Sequence, residues 1–197
     1  MTVNYESEKL VLRLWYMTHR TSDWLRRCEG QVFGEYKLTK EQYAVLSTIK
    51  YLGEPVRVTD IARWLERSTN SVSMIVDRMV KIGLLRRVRD RRDRREVRVI
   101  ITSKGEAILK PAILAGWEFI GKILSPLSHE DRHTLLSLLE TLKYEAFKYL
   151  HPGADIEEMR RNEITGQANL VERLVQYTSL STPEAKRQGG KKKKAIR

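Results

Sequence analysis

Only one cysteine, Cys28, occurs in the 197 residues. No intrachain disulfide framework can form, and a lone thiol fits a reducing cytoplasm. No uncharged apolar run approaches the ~20 residues that span a bilayer. No basic segment leads into an apolar core and a cleavage site at the start of the chain. The expectation is a cytoplasmic protein with no membrane partner. A glycine-rich phosphate loop is missing, and so is any Ser, His and Asp set at spacings that suggest nucleophilic catalysis. An enzyme is therefore the remote class, and no cofactor is expected. No internal repeat is visible. Acid is scarce: 25 Asp and Glu against 37 Lys and Arg leave a formal charge of +12. That balance favours a polyanionic partner, either nucleic acid or an anionic membrane surface, without choosing between them.

What is present begins with a hydrophobic content of 41%, enough for a folded domain with a real core. Up to about Arg27 the residues Leu10, Leu14, Met17, Trp24, Leu25 and Cys28 recur at helical spacing, and Val11, Leu12 and Trp15 widen the stripe. So broad a face suits a seam between subunits, and it suits an intrachain core helix equally well. Thr39 and Gln42 form a capping-box start for a helix that Gly53 stops and Pro55 turns away. Thr59 can cap a short helix with Ile61, Ala62 and Leu65 inside. Ser68 caps another whose buried side is Val72, Ile75 or Val76, Met79 and Ile82, ending at Gly83.

Two short helices joined tightly, with small polar residues opening the second, form a helix-turn-helix pattern. Ser68, Thr69, Asn70, Ser71, Ser73 and Met74 occupy the start and outward positions of that second helix. Short side chains there let a helix enter a major groove, where hydroxyls and an amide meet base edges or phosphates; they also suit a plain polar cap. Directly after it, residues 84–102 read LLRRVRDRRDRREVRVIIT. Residues 84–88 and 97–101 have the apolar content of strands, and the charged stretch between them must form an exposed tip. Eight arginines from 86 to 98, with Asp90, Asp93 and Glu96 and not one lysine, suit phosphates and narrow grooves better than ammonium groups do.

Thr102 or Ser103 starts a helix carrying Ile108, Ile113, Trp117, Ile120 and Leu124, and Pro111 predicts a kink or early break within it. Ser128 with Asp131 starts the next, whose face is Leu135, Leu138, Leu139, Leu142, Ala146 and Tyr149. Both can return to pack with the N-terminal helix. Beyond Pro152, Ile164, Ala168, Val171, Leu174 and Val175 predict one more weak amphipathic helix. From about Ser179 the composition predicts a disordered basic tail, with Lys191, Lys192, Lys193 and Lys194 in one run.

These blocks together resemble the MarR family of winged helix-turn-helix regulators over about residues 5–150. They are LTKEQYAVLSTI at 38–49, VTDIARWL at 58–65, STNSVSMIVDRMVKIGLLRR at 68–87 and DRREVRVIITSKG at 93–105. The last is similar to the family's wing, an Asp-x-Arg followed by alternating strand residues and Thr-x-x-Gly. The resemblance implies a mainly α fold with a small β-hairpin wing, an α/β winged helix-turn-helix, and an obligate helical dimerisation region. The expected organisation is a dimerisation helix at 1–35, a winged lobe at 36–102 and further dimerisation helices at 103–151. An extra amphipathic segment at 152–178 and the tail at 179–197 fall outside the usual pattern.

By the same resemblance the protein is a homodimer that binds double-stranded DNA as a regulator, with repression as the default. Residues 68–73 match the recognition helix. Arg95 matches the wing arginine, steadied by Asp93, and is expected in a minor groove with Arg94, Arg92 and Arg91 near phosphates. Met74 departs from the polar or basic residue common there, which implies apolar contact with a thymine methyl. Two-fold symmetry then implies a palindromic operator of one-turn spacing. Family members often bind a small aromatic or anionic effector between the dimer helices and the lobe. Trp15, His19, Tyr43 and Trp117 are aromatic candidates, none of them assigned.

His129, Glu130 and His133 also match H-E-x-x-H, the zinc-peptidase pattern. They fall in a first helical turn, where Glu130 and Asp131 favour the positive end of the dipole without a metal. A closer rival is a non-specific DNA-binding architectural protein, suggested by the lysine tail and the overall charge; attachment of the tail to a membrane surface is a third.

Overall fold

The computed structural model describes residues 5–89 and 97–179. In chain order they form α1 (Tyr5–Gly34), α2 (Lys40–Leu52), β1 (Val56–Arg57), α3 (Val58–Trp64) and α4 (Thr69–Lys81). Then come β2 (Leu85–Arg89), β3 (Val97–Ile101), α5 (Ser103–Leu124), α6 (His129–Leu150) and α7 (Ile156–Ser179). No helix among the described residues is long and apolar enough to cross a membrane.

Local chemistry sets most of the boundaries. Thr39 and Gln42 close a reciprocal capping box on α2, and Ser128 with Asp131 does the same on α6. Ser68 accepts the Ser71 amide at the start of α4. Gly53 and Gly83, with φ of 83° and 77°, take up the left-handed backbone that follows α2 and α4. Thr59 does not cap α3. The strand β1 runs straight into that helix, so Arg57 is the N-cap and its guanidinium reaches Asp60 at 2.7 Å instead.

The core belongs to the winged lobe. Val45, Leu46 and Ile49 of α2 meet Ile61 of α3, Val72, Val76 and Met79 of α4, and Leu109 and Ile113 of α5, all fully buried. Each such side chain stabilises by about 1.5 to 3 kcal/mol relative to exposure. Leu84, just before β2, and Leu85, Val99 and Ile101 of the sheet close that core. Its order is β1-β3-β2, antiparallel throughout, with Leu85 opposite Ile101 and Arg89 opposite Val97. The spacing predicts this hairpin but not the third strand, because two residues carry no readable alternation; Val56 and Arg57 pair with Val99 and Arg98.

Several expected faces differ. Pro111 does not break α5, which runs through it; buried Leu109, Ala112 and Ile113 on either side hold both halves to the core, and packing outweighs one lost backbone hydrogen bond. Ile82 is 45% exposed rather than buried, since it lies beyond the last turn of α4. On α6 only Tyr144 is buried, and Leu135, Leu138, Leu139 and Leu142 stay exposed in the single chain. Of the apolar positions expected on α7 only Leu174 is buried, together with Gly166 and Thr178, while Ile164, Ala168, Val171 and Val175 face outward.

Candidate nucleic-acid interface

Helix α4 presents its N-terminal turn to solvent. Thr69, Asn70 and Ser71 are exposed, and Met74 is 58% exposed one turn further along. Ser73 is half-buried rather than outward: at 100° per residue it shares a flank with Val80, which packs on the core. Among α2 to α7, only α4 has no acidic residue in its first turn. Apart from the Ser71 amide, which Ser68 caps, its first amide groups and the positive end of its dipole face no carboxylate of their own turn, the arrangement that suits a phosphate.

The same outward face continues through Asp77, Arg78 and Lys81, all exposed. Sequence reasoning passed over these three. Strand alternation places Arg87 on the face of Leu85, beyond the core edge, so its guanidinium turns back over α4 and bonds the Asp77 carboxylate. The root of the hairpin is thus tied to the middle of the helix. Ten residues separate the partners, and no local period could announce the pair. Arg86 and Arg89 are also exposed on β2. The expected tip residues Arg91, Arg92, Asp93, Arg94 and Arg95 lie outside the described residues.

Behind the interface, the Thr-x-x-Gly stretch is a mechanical joint. The Thr102 hydroxyl caps α5 by accepting the Gly105 amide at 3.1 Å and donates to the Gly83 carbonyl at 2.6 Å. Lys104 donates to the Ile82 carbonyl at 2.7 Å. Both bonds fasten the C-terminal end of α4 to the start of α5.

A cavity of about 300 Å³ opens between α1, α2 and α5. Phe33, Lys40, Tyr43, Ser47 and Phe119 line it, with Leu170 of α7 on one side. Phe33 and Tyr43 stack at 3.8 Å between centroids. Of the four aromatic candidates only Tyr43 reaches this cavity: Trp15 is 68% exposed and stands edge-on to His19, and Trp117 packs at the core margin.

Burial, helped by the charge of Glu29, pushes the Tyr43 hydroxyl up to about 12. Burial also raises Tyr177, and its bond to Glu106 adds to that. Burial pulls the Lys50 ammonium down, but the hydrogen bonds it donates to Glu106 and Glu54 outweigh that and hold the pKa above the ordinary lysine value. All three folded-state values lie above their unfolded ones. Their contribution is complete below pH ~10 and is lost as pH rises beyond it. Thermal midpoints are expected to fall from pH 10 upward, with phenolate absorbance appearing in the same transition. A Tyr43→Phe and Tyr177→Phe double variant should show a shallower fall.

His129 and His133 stand edge-on at 4.5 Å on the first turn of α6, where Asp131 is consumed by the capping box. No group of three or more His, Cys, Asp and Glu side chains among the described residues converges as a metal set.

Comparison with known proteins agrees with this arrangement. The model of the MarR family matches residues 38–97. The HTH-type transcriptional regulator PecS of Dickeya dadantii is 30% identical over 122 residues, covering 61% of this chain and 74% of that protein. Among solved structures, a mutant MarR from E. coli complexed with operator DNA superposes with a TM-score of 0.61 at 21% identity, over 67% of this chain and 94% of that one. The organohalide-sensing regulator RdhR in its 2,4-dichlorophenol-bound form gives 0.66 at 22% identity, over 78% and 90%. At these identities the structures show the winged-helix fold.

Proposed function

This chain belongs to the MarR family of transcriptional regulators, DNA-binding proteins that are not enzymes, and from that premise we propose that it is a cytoplasmic homodimeric repressor of a palindromic operator. The observation that carries the reading is α4 itself, a capped helix with an exposed polar first turn free of acid, fastened by Asp77 and Arg87 to the root of an arginine-rich hairpin. In this reading Ser68, Thr69, Asn70, Ser71 and Met74 enter the major groove, with Ser73 on the flank. Arg95 enters the adjoining minor groove, steadied by Asp93, while Arg91, Arg92 and Arg94 neutralise phosphates.

The dimer is supported by what a single chain leaves uncovered. Leu10, Val11, Leu12, Leu14, Trp15 and Tyr16 cover about two thirds of the circumference of the first half of α1 at 100° per residue, with Lys9, Arg13 and Arg20 on the remaining stripe, and each of the six is more than half exposed. An apolar face that wide requires more than one wall. The exposed leucines of α6, with Ile120 and Ile123 of α5, supply such walls in a second copy. The cavity beside Tyr43 suits a small aromatic effector, with Phe33 and Tyr43 as stacking surfaces; an anionic one would have to draw Lys40 from Glu29, which pairs with it at 3.0 Å and lines the same cavity. RdhR was crystallised with such a phenol. An effector releases DNA only through different affinity for two lobe spacings.

The test is selection of duplexes from a random pool by the full-length protein, with sedimentation to give the stoichiometry. Two half-sites one turn apart, bound by two chains and preferred by ~10³ or more over random duplex, are expected. If ~6 to 10 phosphates are neutralised, affinity should fall by roughly 10³ to 10⁵ between 50 and 200 mM salt. Arg95→Ala should weaken binding about tenfold while the dimer stays intact. Equal affinity for every duplex would favour the architectural alternative and end the regulator reading.

A further inference from the structure

Helix α7 grips both halves of the molecule. At its N-terminal end Glu163 pairs with Lys143 of α6 and accepts a hydrogen bond from Tyr144 at 3.2 Å, while Arg160 lies 5.1 Å from the Tyr144 ring centroid. At its middle Gly166 lies against the aromatic pair Tyr51 and Trp64, whose centroids are 4.1 Å apart. A methyl group at Gly166 would come within 3.1 Å of the Trp64 ring. Towards its C-terminal end Arg173 donates to the Tyr51 carbonyl at 2.6 Å, Leu174 is buried, and Tyr177 donates to Glu106. That carboxylate also holds Lys50, which pairs with Glu54 at 3.0 Å; Glu54 in turn accepts the Ile101 amide of the sheet at 3.0 Å. One continuous polar chain therefore runs from α7 through α5 and α2 into the wing strand.

The span from Glu163 to Tyr177 is roughly 21 Å of helix, long enough to bridge α6 and the lobe. A helix attached to only one body would move with that body and constrain nothing. One attached to both fixes the angle between them. We propose that α7 is a brace that sets the angle of α6 to the winged lobe and the α5 helix packed on it, with Gly166, Arg173 and Tyr177 as positioning residues. In the dimer it thereby determines which half-site spacing the two recognition helices accept. This rests on the dimeric operator-binding reading above and deepens it, because spacing specificity is assigned to a segment beyond the matched family region, residues 38–97.

The experiment compares full-length wild type with two variants. Gly166→Val pushes a side chain into Trp64, and the Arg173→Ala, Tyr177→Phe double variant removes the polar attachments without adding bulk. Each is measured on the duplex selected by wild type and on derivatives with one base pair inserted or deleted at the centre, which rotates one half-site by roughly 35°. Amide exchange over α7 reports docking. Wild type is expected to prefer the selected duplex over the shifted ones by about 30-fold. In the variants α7 exchanges faster, and that preference shrinks to about 3-fold, through weaker binding to the selected duplex and unchanged binding to the shifted ones.

A merely stabilising helix would lower affinity for all duplexes alike. Variants with an undocked α7 and the wild-type spacing preference overturn the brace. Unchanged exchange in both variants removes Gly166, Arg173 and Tyr177 from the role and overturns it as well. A wild type that selects no spaced pair of half-sites overturns the dimeric reading too, and so is distinguishable from failure of the brace alone.

Discussion

Met74→Glu is expected to leave the fold at full stability and to cut operator affinity by about two orders of magnitude. The side chain is 58% exposed on the outer face of α4, and glutamate is a good helix former. Thermal stability should therefore stay within about 0.5 kcal/mol of wild type. In the groove the same change replaces an apolar contact with a charge facing phosphates and base acceptors, at the one helix start among α2 to α7 that the sequence keeps free of acid. Met74→Ala should cost less, about tenfold, since it deletes a contact without adding repulsion. Gel shifts beside thermal melts separate these outcomes. Undiminished affinity in the glutamate variant would take α4 out of the interface.

Gly105→Ala should have the largest effect on the fold. Its methyl group would stand 2.4 Å from the Leu84 carbonyl oxygen and 2.6 Å from a methyl of Ile101. The first is backbone and cannot swing aside. Relief requires the strand and α5 to part, which also strains the Thr102 bonds to Gly83 and Gly105. We expect a loss of about 3 kcal/mol, or roughly 10 °C in Tm for a chain of this size. Gly121 lies on the same helix, and a methyl group added there would meet nothing within 4 Å. There the same substitution should stabilise by up to about 1 kcal/mol. Opposite signs on one helix would show that contact, rather than propensity, makes glycine necessary at position 105.

Much of the winged lobe is legible in the sequence because its signals are short-range. A capping box needs only four residues, and Thr39 with Gln42 and Ser128 with Asp131 behave as the spacing suggests. The 3.6 period of Val72, Val76 and Met79 and the alternation of Val99 and Ile101 sort inside from outside without knowledge of neighbours. The candidate interface is legible to the same depth: the Ser68 cap and the exposed first turn can be read, whereas the link from Asp77 to Arg87 cannot.

Where the local pattern and the packing disagree, packing wins. On α7 the expected apolar stripe is mostly left outside: Ile164, Ala168, Val171 and Val175 are exposed, and only Leu174 is buried. The helix docks through Leu170 and Leu174, through Gly166, where an added methyl group would press on Trp64 at 3.1 Å, and through Arg173 and Tyr177, whose partners lie 122 and 71 residues away. On α6 the leucines keep their helical spacing, yet one chain offers them no partner.

The amino-acid sequence alone determined the order of the helices and of the two hairpin strands, the caps of α2, α4 and α6, the charge and most of the core stripe. Each depends on groups within a few residues, where backbone geometry is already set. Tertiary structure alone decided which face of α7 is buried, how Arg87 crosses to α4, and that Lys50, Glu106 and Tyr177 meet. Such meetings depend on the angles at which packed elements cross, and no spacing along the chain encodes those angles.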